Sequence, residues 1–106
     1  MSGRWWAATT GAHIGYESWL ERHWLVLLDF DADVMGIAAQ PFWLWWTTSE
    51  GKPRPHAPDY FARRADGGAL VVDCRLAERI RPRDAEAFAV TRAACALLGW
   101  HYEGSA

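Results

Sequence analysis

The apolar residues of this chain change their spacing twice, and the three regimes that result constrain the fold more than any other feature. From Ser18 to Phe30, Leu20, Trp24, Leu27 and Leu28 recur at intervals of three and four, the pattern of an amphipathic helix. Ser18, with Glu21 three residues on, forms a capping box that starts this helix. From Val34 to Arg75 the chain turns to β-branched and aromatic residues broken by glycine, proline and aspartate, the pattern of short strands. Helical punctuation then returns, with Pro82 at the first helical position, Asp84 and Glu86 in the first turn and Gly99 past the end. The expected buried stripe of that second helix is Phe88, Thr91, Cys95 and Leu98.

Within the β-rich middle, Gly36 and Pro41 divide Val34–Thr48 into two shorter strands or one bulged strand. Alternation places Phe42, Leu44 and Trp46 on the core side and Trp43 and Trp45 on the other. Ser49–Pro55 reads as a loop, His56–Arg64 as a second strand closed by an Asp66-Gly67-Gly68 turn, and Ala69–Arg75 as a third. Trp100–Glu103 forms a last short strand, and residues 1–15 read as an irregular or short extended opening segment. The element order is therefore αβββαβ, a mixed α/β chain. At 106 residues, 1–106 reads as a single domain.

Composition narrows the function classes. No stretch is apolar for long enough to cross a membrane, and the first residues carry no apolar segment of signal-peptide length. Cys74 and Cys95 accordingly read as two reduced, partly buried thiols. The net charge of −2 lacks the basic excess of a domain that holds DNA unaided. Ten of the eleven basic residues are arginine, however, and they gather at Arg63–Arg64 and at Arg75, Arg79, Arg81 and Arg83. The arginine fork suits phosphate and carboxylate recognition.

The chemistry rests on acids. If the second and third strands pair around the Asp66-Gly67-Gly68 turn, Asp59 comes close to Asp73, and Asp73 projects to the same side as Arg75. Converging carboxylates call for a cation, and an oxygen-only set suits Mg²⁺ or Mn²⁺. Equally, Asp59 can cap a turn while Asp73 pairs with Arg75 or Arg79. Glu17 and Glu21 share a face of the first helix, and Glu21 already has a capping role. His56 reads as a structural residue, and His13, His23 and His101 lack metal-ligand spacing. Cys74 has no histidine at a suggestive spacing and is not read as a nucleophile. Trp43 and Trp45 form either a surface that stacks unpaired bases or an aromatic protein interface.

Taken in order, several segments resemble TnsA-like transposase endonucleases. They are Gly15-Tyr16-Glu17-Ser18-Trp19-Leu20-Glu21, Leu28-Asp29-Phe30-Asp31, Val34-Met35-Gly36-Ile37-Ala38-Ala39-Gln40-Pro41-Phe42, His56-Ala57-Pro58-Asp59-Tyr60 and Val71-Val72-Asp73-Cys74-Arg75, followed by the last helix ending at Gly99-Trp100. The resemblance spans residues 3–103. It implies a restriction-endonuclease-like core of the PD-(D/E)xK superfamily, with a central mixed sheet flanked by helices. It also implies Mg²⁺-dependent (or Mn²⁺-dependent) hydrolysis of DNA at transposon ends, beside a TnsB-like transposase subunit, in a bacterial cytoplasm. Carried over by position, Glu21, Asp59 and Asp73, with the Cys74 backbone carbonyl, hold the metal, and Arg75 completes the catalytic set.

Arg75 stands where the superfamily has lysine. It can stabilise charge on phosphate but cannot take a proton, so water activation rests on the metal alone. The chain is also short beside family members and reads as a trimmed or divergent core. The alternative is a catalytically inactive module of the same fold that binds a transposase partner or DNA.

Overall fold

A computed structural model describes residues 2–104, with only the backbone of Ala77. The central element is a four-stranded mixed sheet built from β3 (Val34–Ala39), β6 (Tyr60–Arg64), β7 (Ala69–Asp73) and β8 (His101–Gly104), in the order β3-β6-β7-β8. The first two pairings are antiparallel and β7–β8 is parallel, because α2 (Pro82–Leu98) carries the chain back across the sheet. With α1 (Trp19–Phe30) preceding β3, the elements of this core follow one another as αβββαβ.

Two hairpins are added to that core. β1 (Gly3–Ala7) pairs with β2 (Ala12–Tyr16), so residues 1–15 are not an irregular segment. β4 (Leu44–Thr47) pairs with β5 (Pro53–His56), so Ser49–Pro55 is a tight turn followed by a strand and not a loop throughout. Pro53 and Pro55 are tolerated because this ladder has only two strands, leaving β5 with an edge that needs no donors. The strand expected over His56–Arg64 is interrupted at residues 57–59, between β5 and β6.

Period-two alternation gives the sheet two distinct faces. One carries Val34, Ile37, Tyr60, Ala62, Leu70 and Val72, which form the main core with Leu25 and Leu28 of α1, Ala7 of β1 and Ile14 of β2. On α1 the deepest residue is Leu25, while Leu27 of the expected stripe is 49% exposed, so the buried face is rotated from the one the spacing predicted. The opposite face carries Ala69, Val71 and Asp73, all buried, on the side where α2 turns Ala87, Thr91 and Cys95 inward. Leu98 does not join that stripe. It is 61% exposed in the last turn, where Gly99 adopts φ 74° and ends the helix with its N–H on the Ala96 and Cys95 carbonyls.

Side-chain clasps fix the hairpins. Trp5 Nε1 and the Thr9 N–H both donate to the Asp29 carboxylate, at 3.0 and 2.9 Å, holding β1–β2 to the end of α1. Thr10, in the β1–β2 turn, accepts the Ile37 N–H at 2.8 Å and donates to the Ile37 carbonyl at 3.4 Å. A bulge between Val34 and Gly36 bends the same strand, β3. On the other side, Trp46 Nε1 donates to Glu86 of α2 at 2.7 Å, and the His56 ring lies 6.1 Å from that of Phe88. Phe42, Leu44 and Trp46 alternate with exposed Trp43 and Trp45 as expected, but they are only half-buried and lie outside the main core. No helix among the described residues is long and apolar enough to cross a membrane.

Candidate functional site

Glu21 reaches its place through the start of α1. Ser18 adopts extended φ/ψ, and its hydroxyl accepts the Glu21 N–H at 3.1 Å. The Glu21 carboxylate turns back to accept from the Ser18 hydroxyl at 3.3 Å and from the Glu17 N–H at 3.4 Å. It also accepts from the buried Tyr60 hydroxyl at 3.3 Å, and that hydroxyl lies 2.8 Å from the Gly15 carbonyl. Glu17 itself stays exposed at the mouth of the helix.

Asp59 sits where β6 begins. Its N–H donates to the Val72 carbonyl and its carbonyl accepts from Gln40, extending the ladder one residue past the strand. Its carboxylate accepts the Cys74 N–H at 2.7 Å. Burial, followed by the charges of Glu21 and Asp73, raises the Asp59 carboxyl to about 6, against the opposing pull of the Cys74 N–H and His56. Asp59, Glu21 and Gln40 line one wall of an open cleft of about 440 Å³, with Arg4, Gly15 and Tyr16 across from them. Gln40 has φ 43°, a left-handed conformation uncommon for a side-chain-bearing residue, at the point where β3 leaves the sheet.

Asp73 lies at the end of β7 and is 1% exposed. It does not pair with Arg75 or Arg79. His56 Nε2 sits 2.9 and 3.0 Å from its two oxygens, and the Tyr102 hydroxyl donates to Oδ2 at 2.5 Å. Arg75 lies on the same side as Asp73, as alternation requires, and its guanidinium stands 3.6 Å from Asp84 in the first turn of α2. Between them, Cys74 points the other way and packs against the main core. Burial and the charges of Asp59, Glu21 and Asp73 push its thiol well above the ordinary range, so it is neutral and unsuited to nucleophilic attack. Both cysteines are unpaired, with Cys95 fully buried.

The structure thus gathers Glu21, Asp59 and Asp73 around the ends of β6 and β7, with Asp59 feeling the charge of both others. Among the described residues, no group of three or more His, Cys, Asp and Glu side chains is arranged to hold a metal ion in common. Three further participants, Tyr60, Tyr102 and Gln40, were not singled out from the sequence as members of this site. Tyr60 follows Asp59 directly and was readable as a buried neighbour. Tyr102 reaches Asp73 only through the parallel β7–β8 pairing.

Comparison with known proteins finds no matching family model, no matching curated protein and no matching solved structure.

Proposed function

We propose that the chain is a Mg²⁺- or Mn²⁺-dependent DNA endonuclease, the cutting subunit of a heteromeric transposase, which hydrolyses a phosphodiester at the transposon end beside a TnsB-like transposase subunit. The observation that carries this reading is the crowding of Asp59 by Glu21 and Asp73, which holds its proton up to about 6. Such a surplus of negative charge is what a divalent cation relieves.

The donor set fits a hard cation, being carboxylate oxygen throughout with the Cys74 peptide alongside. His56 and Tyr102 leave part of Asp73's acceptor capacity unused, since a carboxylate offers about four lone-pair sites. Glu21, Asp59 and Asp73, with the Cys74 carbonyl, would hold the ion, which when bound supplies Lewis-acid chemistry at a phosphodiester. Arg75, on the Asp73 side, would stabilise charge developing on the phosphate. Tyr60 orients Glu21, while His56 and Tyr102 orient Asp73. The αβββαβ order of the core elements supports a restriction-endonuclease-like fold, acting on the nucleoid in a bacterial cytoplasm.

A second reading, a module of this fold that binds a transposase or DNA without cutting it, is favoured by one observation. Asp73 is engaged by His56 and Tyr102, and Arg75 faces Asp84. Nicking of a supercoiled plasmid with Mg²⁺ or Mn²⁺, with and without transposase partners from the same locus, separates the two. The endonuclease reading expects nicking that Asp59→Ala abolishes, and Mn²⁺ binding by calorimetry that the same substitution removes. Mn²⁺ binding without nicking under any partner condition leaves the second reading. Absence of both overturns the metal site.

A further inference from the structure

The β4–β5 hairpin has two faces of different character. Leu44 and Trp46, with their cross-strand partners His56 and Arg54, face α2, where Trp46 meets Glu86 and His56 meets Phe88. The other face presents Trp43 and Trp45, 66% and 64% exposed, with Pro55 directly opposite Trp45. Neither the core nor the carboxylate cluster uses these two indoles, and paired exposed rings of this size mark a binding surface.

Their spacing fits one class of ligand. Alternate residues of an extended strand lie about 6.8 Å apart. That is twice the ~3.4 Å rise between stacked bases of one strand. Two successive bases of a drawn-out strand can therefore each meet one ring, the geometry by which aromatic residues on a sheet take up unpaired bases.

The charge around the hairpin points the same way. Arg54 lies on β5, and Lys52 immediately precedes it. The segment leading into α2, against which the hairpin rests, brings Arg79, Arg81 and Arg83 into one surface depression with Arg75, against only Glu78 and Asp84. A chain of net charge −2 thus concentrates cations beside its most exposed aromatic rings. A protein partner would use the rings without calling for this arginine-rich flank, whereas a nucleic-acid strand uses both.

We propose that the β4–β5 hairpin binds an unpaired nucleic-acid segment, two successive bases stacking on Trp43 and Trp45 while the phosphates run toward Arg54, Arg79 and Arg81. This binding needs neither metal nor the carboxylates, so it does not rest on the endonuclease reading. Fluorescence anisotropy of a labelled oligothymidylate, in EDTA and at several salt concentrations, tests it on the full chain. Trp43→Ala/Trp45→Ala weakens binding by roughly tenfold or more, on the scale of losing stacked bases. Trp43→Phe/Trp45→Phe retains most of the affinity, and Trp6→Ala, removing an indole exposed on the other hairpin, leaves it unchanged. Arg79→Ala/Arg81→Ala flattens the salt dependence. The proposal is overturned if the oligonucleotide does not bind, if the alanine pair binds like the wild type, or if a duplex binds as tightly as the single strand. It is also overturned if sedimentation shows a dimer that the alanine pair dissociates. Plasmid nicking that survives the alanine pair would sink the hairpin proposal's relevance to cutting without touching the metal site.

Discussion

His56 spans both oxygens of the Asp73 carboxylate, at 2.9 and 3.0 Å, bridging the β4–β5 hairpin to the end of β7. Asp73 is almost fully buried, and truncating its partner strands a carboxylate with Tyr102 alone. His56→Ala is expected to destabilise the fold by about 2–3 kcal/mol in urea denaturation. Asp73→Asn, which keeps the shape and removes the charge, costs less. A double-mutant cycle of the two gives a coupling of about 1–3 kcal/mol. A coupling near zero would show that the contact is incidental.

The Asp59 carboxyl gives stability a definite pH dependence. Its folded-state pKa of about 6 lies above the ordinary 3.8, so the folded chain binds the proton more tightly than the unfolded chain. The stability this confers is complete below about pH 4 and is lost as pH rises through 6, a change of about 3 kcal/mol. Asp59→Asn removes that dependence. The variant should melt above the wild type at pH 7.5 and converge with it at pH 4, which differential scanning calorimetry across the range can read.

Tyr60 ties three elements together, because its hydroxyl reaches the Gly15 carbonyl of β2 and the Glu21 carboxylate of α1 from the middle of the core. Tyr60→Phe keeps the ring and deletes both bonds. A loss of about 1–2 kcal/mol follows. If the bonds position Glu21 as well as stabilise the fold, the variant also weakens Mn²⁺ binding, and Ser18→Ala reproduces that second effect.

Ser18→Ala is itself a clean test of the helix start. It removes the acceptor for the Glu21 N–H and one donor to the Glu21 carboxylate, at an expected cost of about 1 kcal/mol. Ser18→Asp, which preserves an N-cap acceptor, should recover the stability while setting a second negative charge beside Glu21.

What could be read from the sequence was what local chemistry specifies. The capping box at Ser18 and Glu21, the Gly99 terminus and the Asp66-Gly67-Gly68 turn, with Gly67 at φ 87°, are all decided within a few residues. The alternation of Trp43 and Trp45 against Leu44 and Trp46 is equally local. The β1–β2 hairpin was hidden because its turn is held from outside, with Thr9 on Asp29 and Thr10 on Ile37. β5 was hidden because two prolines argue against a strand unless the partner ladder leaves that edge unused. At the candidate site, the three acids could be named, but their partners could not. Tyr102 meets Asp73 across 29 residues and His56 meets it across 17, and neither separation leaves a pattern in sequence.

The Thr10 hydroxyl has a consequence for how the molecule behaves among its neighbours. β3 is an outer strand of the sheet, and Thr10 occupies both the amide and the carbonyl of Ile37 on its open margin. Those are the groups through which a strand from another copy would extend the ladder. With the bulge at Gly36 twisting the same margin away, one side chain in a surface turn guards the sheet against intermolecular strand addition. Conditions that unfasten β1–β2 from Asp29 therefore threaten the chain first with aggregation, well before its core comes apart.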